Sequence, residues 1–253
     1  MPKPATGTRE WSDVSVNIQR GCRNGCRYCY ARCRPFKPPI PYDEWIKPVR
    51  YPKVIAKGWR KRTGKVFMFP SCHDIRLENL DDCLMVLEKL LKVGNKVLIV
   101  SKPHLKCVRA MCHWLKRYRK QVMFRFTIGG RYAAELEYWE PGAPSFISRV
   151  VSLEWAYQRG WATSVSCEPL LYAADAEVLF HCLTPYVTDT IWFGKMNHIR
   201  QRCVGVCEEE IARIEAGQTD EAVQRVYEAL KDEPKVRWKD SYRKVLGLPP
   251  QEE

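Results

Sequence analysis

Val14-Ser15-Val16-Asn17-Ile18 reads as a β-strand, and through Gln19-Arg20 it runs directly into Gly21-Cys22-Arg23-Asn24-Gly25-Cys26-Arg27-Tyr28-Cys29. This loop sets three cysteines in the order C-x3-C-x2-C, close enough to wrap one cubane cluster. Three thiolates would ligate three irons and leave the fourth with an open position, whereas electron-transfer clusters use four cysteines. Gly21 and Gly25 let the backbone approach inorganic sulfide, and Arg23 and Arg27 offset the negative charge of cluster and thiolates. The competing reading is a zinc site, which takes four ligands and usually pairs C-x2-C units. Cys33 is available as a fourth ligand, but the chain has no second C-x2-C. Cys203 and Cys207 form a C-x3-C near the C-terminus and leave a second metal site open.

Outward from this loop, strand-like and helix-like stretches alternate from Asp13 to about Asn197, the pattern of a parallel sheet. Further strands are expected at Lys65 to Phe69, Lys96 to Val100, Val122 to Ile128, Thr163 to Cys167 and Thr190 to Phe193. Helices are expected from about Leu80 to Gly94 with Asn79 as N-cap, from Cys107 to Lys120, from Ser145 to Gln158 and from Ala174 to Leu183. Six β/α units make a single-domain α/β barrel the expected architecture. After Asn197 the character changes. Glu208 to Glu215 and Asp220 to Leu230 read as short charged helices and Val236 to Trp238 as a strand or extended segment. The expected division is a barrel over residues 1–200 and a C-terminal extension, 201–253, packed on it.

The chain has 253 residues, 42 Lys plus Arg against 29 Asp plus Glu, and a formal charge of +13, an excess that favours polyanionic partners through counterion release. Two basic runs carry aromatic residues beside them: Arg60 to Lys65 with Trp59, and Lys116 to Lys120 with Trp114 and Tyr118. Met1 to Arg20 lacks an apolar signal segment, and no run of some eighteen uncharged apolar residues exists. A cytoplasmic monomer with no membrane contact is therefore expected. Most of the twelve cysteines stand singly, which suits a reducing compartment. Cys83, Cys107, Cys112 and Cys182 read as small buried hydrophobes.

With Tyr28 before its last cysteine, the loop resembles the hallmark of the radical S-adenosylmethionine (SAM) superfamily. More narrowly, Ser15-Val16-Asn17, Arg20-Gly21-Cys22 and Cys29-Tyr30-Ala31-Arg32 resemble spore photoproduct lyase and the DNA repair photolyase-like proteins over roughly residues 13–197. Softer matches are Glu140 to Ser145, Ser166 to Pro169 and Trp238 to Ser241. The resemblance implies a partial (β/α)6 TIM-like barrel with a small helical C-terminal extension. It also implies a [4Fe-4S] cluster on Cys22, Cys26 and Cys29, and cleavage of SAM to a 5′-deoxyadenosyl radical with an electron from an external donor such as flavodoxin or ferredoxin.

On the same basis Tyr28 is expected beside the adenine, and Ser71 to Asp74 near the methionyl amino group. Lys102 is expected at the carboxylate, with Thr127 and Glu168 facing the same mouth. For Lys102 and Glu168 a buried salt bridge is the alternative. Cys72 is the candidate hydrogen-atom donor, with a buried strand-end cysteine as the alternative. Three functions then compete: a radical SAM enzyme repairing or modifying nucleic acid, one acting on a peptide or metabolite, and a non-catalytic iron-sulfur or zinc module.

Overall fold

The computed structural model describes residues 6–33 and 38–249. Its strands are β1 (Val14–Ser15), β2 (Gln19–Arg20), β3 (Val49–Arg50), β4 (Val66–Phe69), β5 (Lys96–Ser101), β6 (Val122–Thr127), β7 (Ala162–Cys167), β8 (Ile191–Phe193) and β9 (Val236–Trp238). Its helices are α1 (Tyr42–Trp45), α2 (Pro52–Ala56), α3 (Leu80–Lys92), α4 (Leu105–Trp114), α5 (Ala133–Trp139), α6 (Phe146–Gln158), α7 (Ala176–Leu183), α8 (Ile199–Arg202), α9 (Glu208–Ala216), α10 (Asp220–Leu230) and α11 (Asp240–Leu246). Seven strands form one sheet in the order β1-β4-β5-β6-β7-β8-β9, every neighbouring pair parallel. Parallel neighbours need a crossover, and here helices supply it.

Strand periodicity divides the sheet into two chemically different faces. Phe67, Phe69, Val97, Ile99, Phe124, Phe126, Val165, Cys167, Ile191 and Phe193 all join one core with Leu87, Leu90, Val108, Met111, Leu153 and Leu179 from the helices. The residues between them face the interior and align across the register: Met68 opposite Leu98 and Leu98 opposite Met123, Val100 opposite Arg125 and Arg125 opposite Ser164, Thr127 opposite Ser166 and Ser166 opposite Trp192. Helices thus cover an apolar outer face, while the inner face mixes methionine, hydroxyl and charge.

An N-terminal turn bridges the two edge strands of this sheet. Asp13 accepts from Val66 N at 2.9 Å beside β1, and Glu10 accepts from Asp240 N at 3.0 Å and pairs with Lys239 at 2.8 Å after β9. Lys239 Nζ also donates to Gly7 O at 2.8 Å and sits 3.8 Å from the Trp11 ring. Trp11 in turn meets Trp192 edge-on inside the sheet.

Several expectations need correction. The first strand pairs only at Val14 and Ser15, because Gln19 and Arg20 form an antiparallel ribbon with Arg50 and Val49 instead. Val236–Trp238 does not merely pack on the sheet but extends it as a seventh strand beside β8. The helix expected from Cys107 to Lys120 ends at Trp114 and tightens into a 3-10 segment, and α5 was not anticipated. Asn79 does not cap α3 with its side chain; its amide bonds Gln19 Oε1 and Asp74 O. Cys83, Cys107 and Cys112 are buried as expected, but Cys182 lies exposed on α7. Among the described residues no helix is long and apolar enough to cross a membrane.

Candidate active site

A cavity of about 420 Å³ opens at the C-terminal ends of the strands, the end at which parallel β/α folds gather functional groups. Cys22, Cys26, Tyr28, Cys29, Ser71, Cys72, Asp74, Lys102, Thr127 and Glu168 all line it, so every site residue expected from the sequence reaches one place. Trp11 lines both this cavity and a second one at the N-terminal ends of the strands, where Arg125 lies.

The cysteine loop is held by close backbone packing. Gly21 adopts φ +89°, and a Cβ there would stand 2.6 Å from Trp45 O; Cys22 N donates to that same carbonyl at 2.9 Å. Gly25 is also left-handed, and a Cβ on it would run into the Tyr42 hydroxyl. On the other side, Gly142 N donates to Asn24 O at 2.9 Å, with no room for a side chain between it and Arg23 O. Asn24 is tied further, donating to Asp74 Oδ2 at 2.6 Å and accepting from Arg76 at 2.6 Å.

Among the described residues no three His, Cys, Asp or Glu side chains converge as a single ion would require. The three thiols stand around a shared cavity. Burial pushes all three thiols up, Cys22 to about 12, so the folded chain alone does not hold them as thiolates. Bound metal removes that penalty, since a coordinating thiol is deprotonated outright. Cys33 donates to Arg202 O at 3.3 Å, Cys203 lies buried at 3.9 Å from the Met196 sulfur, and exposed Cys207 lies 3.9 Å from the Tyr138 hydroxyl, so the C-x3-C pair is split between two environments.

Asp74 organises the loop after β4. Its carboxylate accepts from Asn24, Ser101 Oγ, Lys102 N at 3.0 Å and Ile75 N at 2.8 Å, which fills its usual acceptor positions. Ser71 and Cys72 are placed by Asn17, whose Oδ1 accepts from both their backbone N–H groups at 2.8 and 2.9 Å. Lys102 stands 3.8 Å from Glu140 and over the Tyr28 ring at 5.5 Å. Glu140 is already engaged by Arg149 and the Tyr28 hydroxyl, so one carboxylate serves two buried cations. Burial acts to lower the Lys102 pKa, but the acidic groups it faces, the Glu140 carboxylate among them, raise it more, and the ammonium stays charged. Glu168 pairs with Lys239 at 3.5 Å, and burial pushes its carboxyl up.

Sequence reasoning missed Tyr30, Lys195, Met196, Asn197 and Arg202, which line the same cavity. Lys195 to Asn197 follow β8 directly, so the strand-end rule that pointed to Lys102 would have found them. The basic runs fall elsewhere. Arg60 to Lys65 precede β4 and Lys116 to Lys120 precede β6, at the end of the sheet opposite the cavity, with Arg60 and Arg62 fastened to Asn95. Of their aromatics, Trp59 and Tyr118 pack against the core and Trp114 is exposed.

The architecture is a seven-stranded parallel α/β sheet carrying a three-cysteine loop at the C-terminal ends of its strands. No family model matches the chain, and neither does any curated protein. Among solved structures it is similar to spore photoproduct lyase, as the sequence resemblance led one to expect. A cysteine-to-serine variant of that enzyme superposes with a TM-score of 0.55 at 16% identity, covering 94% of this chain and 79% of the other. A double variant with bound AdoMet and dinucleoside spore photoproduct gives 0.58 at 13%, covering 93% and 78%. The enzyme complexed with dinucleoside spore photoproduct gives 0.52 at 15%, with the same coverage. At these identities the likeness establishes a shared fold.

Proposed function

We propose that this protein is a radical SAM enzyme that repairs or modifies nucleic acid, a photoproduct lyase-like activity. The observation that carries the proposal is that Cys22, Cys26 and Cys29 share one strand-end cavity with Lys102 and Cys72, on a fold common with spore photoproduct lyase. Bound there, a [4Fe-4S] cluster and SAM would supply a 5′-deoxyadenosyl radical after one electron from a carrier such as flavodoxin or ferredoxin. Cys22, Cys26 and Cys29 hold the cluster, Lys102 offers its ammonium to the SAM carboxylate, and Tyr28 flanks the adenine. Ser71 faces the methionyl amino group, with Asp74 holding the loop in place. Thr127 and Glu168 complete the wall of the cavity. Cys72 gives a hydrogen atom to a carbon radical of the substrate: its S–H bond breaks, a C–H bond forms, and the thiyl left behind is reduced by the same external donor with uptake of a proton.

Nucleic acid as substrate is supported by the charge of +13 and by the dinucleoside photoproduct bound in the neighbours. The basic runs lend no contact at the cavity, because they lie at the far end of the sheet. A target inside a duplex would have to be flipped out to reach the mouth. The test is anaerobic reconstitution followed by iron, sulfide and 5′-deoxyadenosine analysis with dithionite and SAM. One cluster per chain and measurable 5′-deoxyadenosine are expected, both lost in Cys22→Ala, Cys26→Ala and Cys29→Ala. A full cluster in any of these variants, or a loaded parent that neither binds nor cleaves SAM, overturns the proposal.

A further inference from the structure

Arg202 lines the mouth of the cavity with its guanidinium over the Tyr30 ring at 5.9 Å. Among the described residues no carboxylate stands within ion-pair distance of it and no protein acceptor takes its N–H groups, although Glu168 contributes an attractive field from further off. Its neighbours differ. Arg200, two positions earlier, is paired with Glu208 and Glu215 at 2.8 Å each, and Lys195 with Asp220 at 3.5 Å. A guanidinium carries five donors in a planar fork, and here they are left open at the mouth for an arriving anion to accept.

The backbone of Arg202 is tied to the tail of the cysteine loop. His198 is the one non-glycine residue among those described with positive φ, at 55°, and it starts the single turn α8. At the far end of that turn, Arg32 donates to Arg202 O and Val204 O at 3.4 and 3.2 Å, and the Cys33 thiol donates to Arg202 O at 3.3 Å. The position of Arg202 is therefore fixed relative to Cys29. Tyr30, 43% exposed and anchored through its hydroxyl to Ser71 O, stands beside it.

We infer that Arg202 and Tyr30 form a nucleotide-anchoring subsite, in which the guanidinium fork takes one backbone phosphate of the substrate strand and the ring carries an adjacent base. Arginine matches phosphate bidentately, and base stacking on an aromatic ring adds sequence-tolerant affinity. This rests on the nucleic-acid reading above. It places recognition on the strand backbone next to the reacting base, independently of the basic runs at the opposite end.

The test uses the cluster-loaded full chain and a fluorescein-labelled dodecathymidylate, with anisotropy read across a salt series. Arg202→Gln is expected to weaken binding about 10-fold and to lower the slope of log K against log salt by about 0.7, the value for one phosphate on a single strand. Arg202→Lys should keep the slope and recover only part of the affinity, because charge remains while the fork is lost. A walk of single neutral methylphosphonate linkages through the oligonucleotide, read on the parent, removes any dependence on how the variants fold. One linkage should dominate. Equal tolerance of every linkage, or unchanged affinity and slope in Arg202→Gln, overturns the subsite. A parent that forms 5′-deoxyadenosine yet gives that flat pattern loses only the subsite; a parent that forms none loses the enzyme reading, whatever the anisotropy gives.

Discussion

The side-chain oxygen of Asn17 accepts the backbone N–H of Cys72 at 2.9 Å, while its amide nitrogen donates to Ser71 Oγ at 2.8 Å. One residue just after β1 thereby fixes the loop that follows β4, 55 positions on. Asn17→Ala would leave the half-buried Ser71 and Cys72 N–H groups without their acceptor, at a cost of about 1–3 kcal/mol. Urea unfolding should show that loss. Asn17→Asp, which keeps an acceptor but no donor, should lose less; equal stability of parent and alanine variant would refute this role.

Cys72→Ala should leave cluster content and 5′-deoxyadenosine formation in place while changing the product. Hydrogen abstraction precedes the thiol step, so removing the thiol leaves a later substrate radical unquenched. A thiol exchanges with water, so the parent should pass solvent deuterium to product and the variant should not. Identical products and labelling in parent and variant would make Cys72 a packing residue.

Much of this site was readable in the sequence, for a physical reason. Strands covered on both faces appear as apolar runs such as Val66 to Phe69 and Lys96 to Val100, and in a parallel sheet whatever follows each run lands at one end. That rule alone carries Ser71, Lys102, Thr127 and Glu168 to the cavity. Pairings between distant segments leave no such mark: Arg32 with Arg202, or Asn17 with Cys72, cannot be read from spacing. Helix α5 is too short for periodicity, its buried contacts being Leu136 and Trp139. The runs Arg60 to Lys65 and Lys116 to Lys120 announce a charged surface but not which end of the sheet bears it. Their place before β4 and β6 was nonetheless available.

Gly21→Ala should impair cluster loading. Its φ of +89° is strained for any L side chain, and the new Cβ would fall 2.6 Å from Trp45 O, a backbone atom that cannot swing aside. Iron and sulfide content below the parent's after identical reconstitution is the expected reading, with SAM cleavage falling in proportion. Full loading would show that the loop has slack that the packing does not suggest.

Glu10→Gln tests the seam between the sheet edges. Lys239 is 1% exposed, and Glu10 is its close partner at 2.8 Å, with Glu168 further away at 3.5 Å. Removing one member of a buried pair typically costs about 3–5 kcal/mol, and because Glu168 still faces Lys239 the loss here should fall at the low end of that range. The denaturation midpoint should drop accordingly, and the double variant Glu10→Gln, Lys239→Met should recover part of the loss. If the single variant matched the parent, the N-terminal turn would not be closing the sheet.

The last prediction concerns pH. His73 is buried after β4, its Nε2 accepting from Ile18 N at 3.1 Å and its Nδ1 directed at Asp74 O at 3.0 Å. The Nε2 contact requires a neutral ring with the proton on Nδ1. Burial lowers the His73 pKa to about 4, with the Asp74 carbonyl and carboxylate pulling weakly the other way. Unfolded, the ring titrates near 6.5. Below that value the unfolded chain binds a proton that the folded chain refuses, so stability is intact above about pH 6.5 and falls as the pH drops toward 4. Between pH 7.5 and 5 this one group should remove roughly 2 kcal/mol. His73→Gln presents a neutral acceptor to Ile18 N and does not titrate, so its urea midpoint should fall less over that window than the parent's. Comparing the two slopes cancels the carboxylates, which titrate in both proteins. Parallel slopes would mean that His73 charges freely in the folded chain, and the Ile18 hydrogen bond could not then be as described.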